Sequence, residues 1–401
     1  MSDVGPTRDV FLPVAAQPSI DTLVEYARDA EALGYDRAWL PETWGRDAVT
    51  VLTTIAERTE TIGIGTSIAN VYSRSPALIG QTAATLQEAS DGRLRLGVGP
   101  SGPAVIEGWH GTDFERPLRQ TRETIAIIRL VLSGDSVEYD GDIFQLSGLR
   151  LRCDPPDTLP GIDAAGMGPK SVELAGRFGD GWHALMLTKQ GLRDRLEDLE
   201  RGAELGGKSP DDLRVTLSLP CIALEDRERA RQLARNHLAF YAAAMGTFYR
   251  EALERQGYED EAIEIASEWA NGNQEASMAA VTDELLDDLG IAGTLEECRD
   301  RYAEWEEVDG VDAVSVSFPR GADPDDEEMV AAGEDVYTSV VEKAIDLGGT
   351  ATGEHGVGLG KRQFMNREHG RESVAVMRSV KDALDPEGIL NPGKVFPEET
   401  E

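Results

Sequence analysis

Cysteine is nearly missing. Cys153, Cys221 and Cys298 are odd in number, far apart and without a CxxC, so they supply neither a disulfide framework nor a metal knot. A reducing cytoplasm is the simplest setting for them. Lysine is scarce too, confined to Lys170, Lys189, Lys208, Lys343, Lys361, Lys381 and Lys394. The 39 basic residues face 74 acidic ones, a formal net charge of −35. A field of that sign repels nucleic acid and anionic membranes at long range, which excludes both as partners. MSDVGPTRDVFLP has no basic segment followed by an apolar one, and no stretch reaches the apolar length of a membrane helix. GxSxG is absent and no Cys–His pair is placed for attack, which argues against acyl transfer. His110, His183 and His237 lack metal-ligand spacing, so no metal site is expected. The chain reads as a soluble cytoplasmic protein.

What is present is a large core. Across 401 residues, 40% hydrophobic content falls in long periodic segments, enough for one large domain and a second module. The acidity is spread over helix surfaces such as Glu251–Glu268 and Asp283–Glu307. That spread fits a halophilic protein, since salt at 1 M shortens the screening length to about 3 Å. An ordinary acidic cytosolic protein is the alternative.

The organising stretch is IGIGTSIANVYSRSPALIGQTAATLQEASDGRLRLGVGPSGPAVIEGWHG, from Ile62 to Gly111. Ile62–Thr66 and Leu94–Val98 are short apolar strands, with a helix between them. Such a βαβ unit makes the strands parallel and brings Ser67–Ser73 and Gly99–Gly102 to one rim, where parallel α/β folds bind ligands. Asp9–Ala16, Asp36–Pro41, Pro160–Ala165, Gly181–Leu185, Leu213–Leu219 and Ala313–Ser317 complete eight strands alternating with helices. Leu33 and Leu78 are counted on the apolar faces of two of those helices. Val137–Arg152 reads as an inserted hairpin turning at Asp140–Gly141, and Asp226–Leu289 as an all-helical insertion. Eight strands over about 310 residues is the count of a (β/α)8 TIM barrel, with a doubly wound open sheet as runner-up. From Gly321 the texture changes, so residues 1–320 are read as the barrel and 326–401 as a separate, α-rich piece.

The strand ends supply the candidate site. Glu42, Thr43 and Trp44 follow the second strand; Ser67, Ile68, Ala69 and Asn70 the third; Gly99, Ser101 and Gly102 the fourth; His183 the sixth. After the fifth comes Gly166-Met167-Gly168-Pro169-Lys170, a glycine-rich turn opening a helix. Its free N–H groups and the positive end of the helix dipole suit an anion, a phosphate above all, and Lys170 adds charge. Such a turn is also ordinary loop chemistry. Trp44, Trp109 and Tyr72 offer aromatic surface for a flat cofactor, and Glu42 could move a proton; core lids and a solvated or capping glutamate are the plainer readings.

As a set, DTLVEYARDAEALGYDRAWLPE, GIGTSI, SRSPALIGQTAATLQEASDGRLRLGVGPSGPAVIEGWHG and AAGMGPKSVELAGRFGDGW resemble the bacterial luciferase-like superfamily over about residues 8–325. The likeness is greatest to its coenzyme F420 (8-hydroxy-5-deazaflavin) branch, with flavin mononucleotide (FMN) as the alternative cofactor. The resemblance implies a (β/α)8 barrel with an insertion. It also implies a non-prolyl cis peptide at Ser67-Ile68, a bulge backing the deazaflavin ring. Gly99 and Ser101 match the loop near the pyrimidine edge and ribityl chain, and Met167 and Gly168 match the phosphate cradle. Glu42 and Trp44 match ring-proximal positions. The histidine and acid that sugar-phosphate dehydrogenase members use are replaced here by Thr43 and the loop Pro100-Ser101-Gly102, so that substrate is not implied.

The tail has another likeness. GGTATGEHGVGLGKR and ALDPEGILNPGKVF resemble the carboxyl end of FAD-linked oxidases of the glycolate oxidase and D-lactate dehydrogenase type, over about residues 325–397. This implies Glu354 and His355 at a substrate or metal site and Asn391 near a flavin. The FAD-binding domain and upstream histidine motif of that family are missing, so a remnant or fusion is expected. The sequence thus points to an oxidoreductase moving hydride between coenzyme F420 and a small organic substrate. An FMN-dependent monooxygenase is its first rival; a non-catalytic binding protein and an FAD-linked hydroxy-acid oxidase are weaker ones. A homo-oligomer, dimer or tetramer, is expected.

Overall fold

The computed structural model describes residues 6–14, 18–317, 362–386 and 396–397. The chain divides into two compact units, Met1–Gly321 and Ala322–Glu401. The first contains strands β1 (Thr7–Phe11), β2 (Arg37–Leu40), β3 (Gly63–Asn70), β4 (Leu94–Gly99), β5 (Val137–Asp140), β6 (Gln145–Leu149), β7 (Gly161–Ala165), β8 (Gly181–Leu185), β9 (Arg214–Ala223), β10 (Ile291–Gly293) and β11 (Ala313–Ser317). Parallel pairing runs from β1 through β2, β3, β4, β7, β8 and β9 to β11, and β11 pairs with β1. The eight strands therefore close into a TIM barrel. That closure rules out the open sheet. β5 and β6 form the antiparallel hairpin, while β10, a three-residue strand beside β9, has no counterpart in the sequence reading.

Local chemistry explains the surrounding helices. α1 (Ile20–Ala32), α2 (Ala48–Arg58) and α3 (Pro76–Ala89) start at Ser19, Asp47 and Ser75, whose side chains accept from Thr22, Thr50 and Leu78 N–H. Each lays one apolar face on the barrel: Leu23, Val24, Ala27 and Ala30 of α1 are all buried. Leu33 and Leu78, read as face residues, are instead 76% and 44% exposed. α4 (Pro103–Ile106), α5 (Pro117–Leu132), α6 (Pro169–Phe178) and α7 (Lys189–Gly206) follow. The insertion is α8 (Arg227–Ala244), α9 (Thr247–Glu254), α10 (Glu259–Ala270), α11 (Gln274–Ala279) and α12 (Asp283–Leu289), with α13 (Leu295–Glu306) leading to β11. It builds its own core around Leu238, Leu253, Ile265 and Leu285, into which Met186 also packs. The second unit holds α14 (Met365–His369) and α15 (Arg371–Leu384), on which Val374 is buried. Glu354, His355 and Asn391 lie outside the described residues.

The barrel interior is unusually polar at its lower end. Asp9 and Asp163 are fully buried. Arg95 grips Asp163 through two hydrogen bonds of 2.6 and 2.7 Å. Arg214 and Trp39 Nε1 donate to Asp9 at 2.9 and 2.8 Å. Arg37 donates to the Ile64 and Arg93 carbonyls at 2.8 and 2.7 Å. Burial drives its pKa down to about 10, with Asp9 pulling the other way. Above this layer, Trp39 meets His183 edge-on at 4.5 Å. Two glycines make room: a Cβ at Gly65 would collide with the Trp39 ring, and one at Gly97 would lie 2.9 Å from His183 Nε2.

No helix among the described residues is long and apolar enough to cross a membrane, and no group of three metal-ligating side chains occurs among them.

Candidate active site at the barrel rim

β3, β4, β7 and β8 are neighbours in the barrel, so the loops that leave them converge. β3 carries the main irregularity. Its pairing with β4 shifts between Thr66 and Ala69, and the Ser67–Ile68 peptide bond in that interval is cis, where the resemblance places one. The bulge backs onto Gly99 of β4, where a Cβ would meet Ile68 Cγ1 at 3.3 Å and Ala165 Cβ at 3.2 Å. Ile68 C=O accepts from Glu42 N–H at 3.2 Å.

Both oxygens of Glu42 are occupied. Oε1 takes Arg74 Nε at 2.8 Å, while Oε2 takes Ser73 Oγ at 3.2 Å and Asn70 N–H at 3.3 Å. Arg74 also pairs with Asp47. Burial alone would lower the Arg74 pKa, but Glu42 and Asp47 outweigh it and raise it. Glu42 is thus a tie between the loops after β2 and β3, not a free acid. Asn70 Oδ1 caps the same turn, accepting from Tyr72 and Ser73 N–H at 3.0 and 2.6 Å, and its Nδ2 lies 3.3 Å from His110 Nε2. Trp44, beyond the tie, is 43% exposed.

Ser101 and Met186, in the loops after β4 and β8, are non-glycine residues with left-handed backbone, φ 60° and 55°. Backbone of that kind costs about 1–3 kcal/mol and concentrates at ligand sites. Both loops are held by the insertion. Met186 C=O accepts from Gln256 Nε2 at 2.9 Å, and Thr188 N–H donates to Gln256 Oε1 at 2.8 Å. A Cβ at Gly102 would lie 2.7 Å from the Met245 carbonyl.

The glycine turn after β7 is built tightly. Gly166 C=O accepts from Trp182 Nε1 at 2.8 Å, and Gly168 N–H donates to Ser171 Oγ at 3.1 Å. The Gly168 amide is therefore used internally. Lys170 pairs with Glu173 at 2.9 Å with its side chain 73% exposed, so it does not point into the turn. Met167 and Pro169 line a cleft of about 190 Å³ with Leu187, Gly191, Asp194, Arg195 and Arg255, in which Arg195 pairs with Asp198 at 2.8 Å and Arg255 lies 3.6 Å from Glu251. Sequence reasoning missed both arginines because they sit on α7 and just past α9, far from the motif.

Beneath the bulge, Ser67 Oγ is 3.1 Å from His183 Nδ1. His183 is buried, and its Nε2 lies 3.4 Å from Asp163 Oδ2. The sequence reading places His183 after the sixth strand and without metal-ligand spacing, whereas it lies inside β8 (Gly181–Leu185). Asp163 and Arg95 were overlooked, although a charged residue inside an apolar strand such as GIDAA was the available signal.

Comparison with known proteins agrees with the barrel fold. The luciferase-like monooxygenase family model matches residues 7–312. That of the C-terminal domain of FAD-linked oxidases matches residues 233–395, beginning inside the helical insertion and so well before the tail. The chain is 32% identical over 304 residues to 5,10-methylenetetrahydromethanopterin reductase of Archaeoglobus fulgidus, covering 74% of this chain and 90% of that protein. It is 32% identical over 231 residues to the F420-dependent glucose-6-phosphate dehydrogenase of Amycolatopsis mediterranei, 53% of this chain and 68% of that one. In fold it resembles the coenzyme F420 dependent tetrahydromethanopterin reductase of Methanopyrus kandleri, with a TM-score of 0.69 at 23% identity over 82% of this chain and 97% of that one.

Proposed function

The chain belongs to the luciferase-like monooxygenase family, and within it we propose an oxidoreductase that uses coenzyme F420 to move hydride to or from a small organic substrate. The bulge carries the reading. Between Thr66 and Ala69 the sheet pairing is interrupted, which leaves Ser67–Ile68 and Gly99 as a floor against which a flat ring can lie. Relatives named for F420 dependence support the choice of coenzyme. Bound there, the coenzyme supplies a ring carbon that gives or accepts hydride.

The residues present fit such a group. Ser67, Ile68, Gly99 and Ser101 would meet the ring and its chain. Met167 at the start of α6, with Arg195 and Arg255 across the cleft, would hold the phosphate. Glu42 and Asn70 position the floor through the hydrogen bonds described above. Titration of the purified protein with coenzyme F420 and with FMN tests the reading, followed by fluorescence quenching. Saturable F420 binding is expected, and binding of neither would end it.

Glu42 is open to a sharper test. Glu42→Ala is expected to weaken F420 binding about tenfold, the equivalent of one or two hydrogen bonds, because the floor loses its tie. Intact binding with turnover abolished would instead make Glu42 the proton carrier. A second reading, reduced FMN with oxygen, is favoured by the family's monooxygenase description. Oxygen uptake dependent on reduced FMN would select it. Residues 326–401 form a second module in this reading, and no FAD chemistry is assigned to it.

A further inference from the structure

We propose that His183 holds Ser67 as a hydrogen-bond acceptor toward the rim, so that Ser67 recognises a donor N–H or O–H on the edge of the bound coenzyme. The assignment rests on the coenzyme lying against the bulge, as proposed above.

The argument follows hydrogen-bond polarity along one buried column. Asp163 is fully buried and receives two hydrogen bonds from Arg95, at 2.6 and 2.7 Å. A carboxylate so held can only accept. His183 Nε2 faces it at 3.4 Å, long for a hydrogen bond but close enough to orient the ring. A lone pair pointed at that anion would be repelled, so Nε2 carries the hydrogen. Three arginines, Arg37, Arg95 and Arg214, already face two carboxylates, Asp9 and Asp163, in the lower barrel. The assignment takes the His183 ring as neutral beside these charges. With Nε2 protonated, Nδ1 is an acceptor. Ser67 Oγ, 3.1 Å away, must then donate its only hydrogen inward. What remains for a ligand is the oxygen lone pairs.

The polarity has a chemical consequence. A hydroxyl free to rotate accommodates donors and acceptors alike, whereas this one rejects a carbonyl edge and accepts an amide-like N–H or a hydroxyl. Deazaflavin and flavin rings share an imide N–H, and the 8-hydroxyl belongs to the deazaflavin alone. His183 does not touch the ligand in this scheme and is a positioning residue.

Ser67→Ala tests the contact and His183 variants test the polarity, each read by equilibrium binding of F420 and FMN and by the absorption spectrum of bound F420, with a thermal melt as the folding control. Ser67→Ala is expected to bind F420 about tenfold more weakly. His183→Gln can still donate to Asp163 and accept from Ser67, and is expected to bind within threefold of wild type; His183→Leu should match Ser67→Ala. If Ser67→Ala also weakens FMN binding, the imide N–H is the donor recognised; if it weakens F420 alone, the hydroxyl is. Wild type that binds F420 while folded Ser67→Ala binds within twofold of it overturns this assignment only. Wild type that binds neither coenzyme removes the premise and the assignment together. Should His183→Leu fail to fold, Ser67→Ala against His183→Gln still decides, because equal loss in both contradicts the scheme.

Discussion

Replacing Asp163 by asparagine is expected to cost about 3–5 kcal/mol of folding stability, the range for leaving one member of a buried ion pair unmatched. The asparagine would fill the same space, so packing changes little. Arg95, whose side chain is four-fifths buried, would face a neutral amide in place of a bidentate anion. His183 would lose the group that orients it. Urea denaturation of both proteins at pH 7 measures the loss, and a difference under about 1 kcal/mol would show that the column is not the structural centre of the barrel. The same residue predicts an acid limb. Burial pushes the Asp163 carboxyl up, but His183 at 3.4 Å and the charge and hydrogen bonds of Arg95 more than offset it and hold the pKa at about 2. An unfolded aspartate titrates near 4. A folded value below the unfolded one means that the contribution is present in full above about pH 4 and is lost as the pH falls toward 2. Its size is roughly 2–3 kcal/mol. Wild type should therefore lose stability between about pH 5 and 2 more steeply than Asp163→Asn does.

Much of this design was open to reading in the chain itself, and the reason is periodicity. Short apolar runs such as Gly181–Leu185 alternate with capped amphipathic helices, and Ser19, Asp47 and Ser75 stand where their caps were needed. The hairpin at Asp140–Gly141 and the helical insertion follow from turn residues and helical patterning in the same way. Interior chemistry was another matter. Arg95, Asp163, Arg214 and Asp9 come from four strands separated by up to 205 residues, and only closure of the sheet brings them together. Nothing in a linear pattern pairs them. Side chains near a motif were misjudged for a related reason: Lys170 follows the glycine turn in sequence, but its helical position turns it outward to Glu173, and Arg195 and Arg255 line the cleft from a distance. Glu42 read as a possible acid because its partner Arg74 lies 32 residues on, across a loop. β10 has three residues, too few for any pattern. The bulge at Ser67–Ile68 came from likeness to a family; the apolar pattern alone ends the strand at Thr66 and leaves Ser67–Ser73 as loop, whereas β3 runs on through the bulge to Asn70.

Gly97→Ala is expected to be the most damaging single methyl at the rim. Gly97 lies on β4 opposite the start of the bulge, where its carbonyl accepts from Thr66 Oγ1 at 2.7 Å. An added Cβ would press on the Thr66 carbonyl oxygen, far inside van der Waals contact, and sit 2.9 Å from His183 Nε2. Neither neighbour can yield cheaply: one is strand backbone and the other a buried ring. Overpacking of this kind costs about 1–3 kcal/mol and moves what it presses on. Here that means Thr66, which leads into Ser67, and His183, which orients Ser67, so coenzyme affinity should fall with stability. Gly65→Ala separates the two effects. Its Cβ would strike the Trp39 ring and approach the Arg95 carbonyl at 2.6 Å, straining the core one pair below the bulge. Comparable destabilisation with F420 affinity reduced less than in Gly97→Ala is the expected outcome, measured by urea denaturation and F420 titration on both variants. If Gly97→Ala binds F420 as wild type does, the bulge is not the surface that meets the ring, and the site must be sought toward the cleft of Arg195 and Arg255.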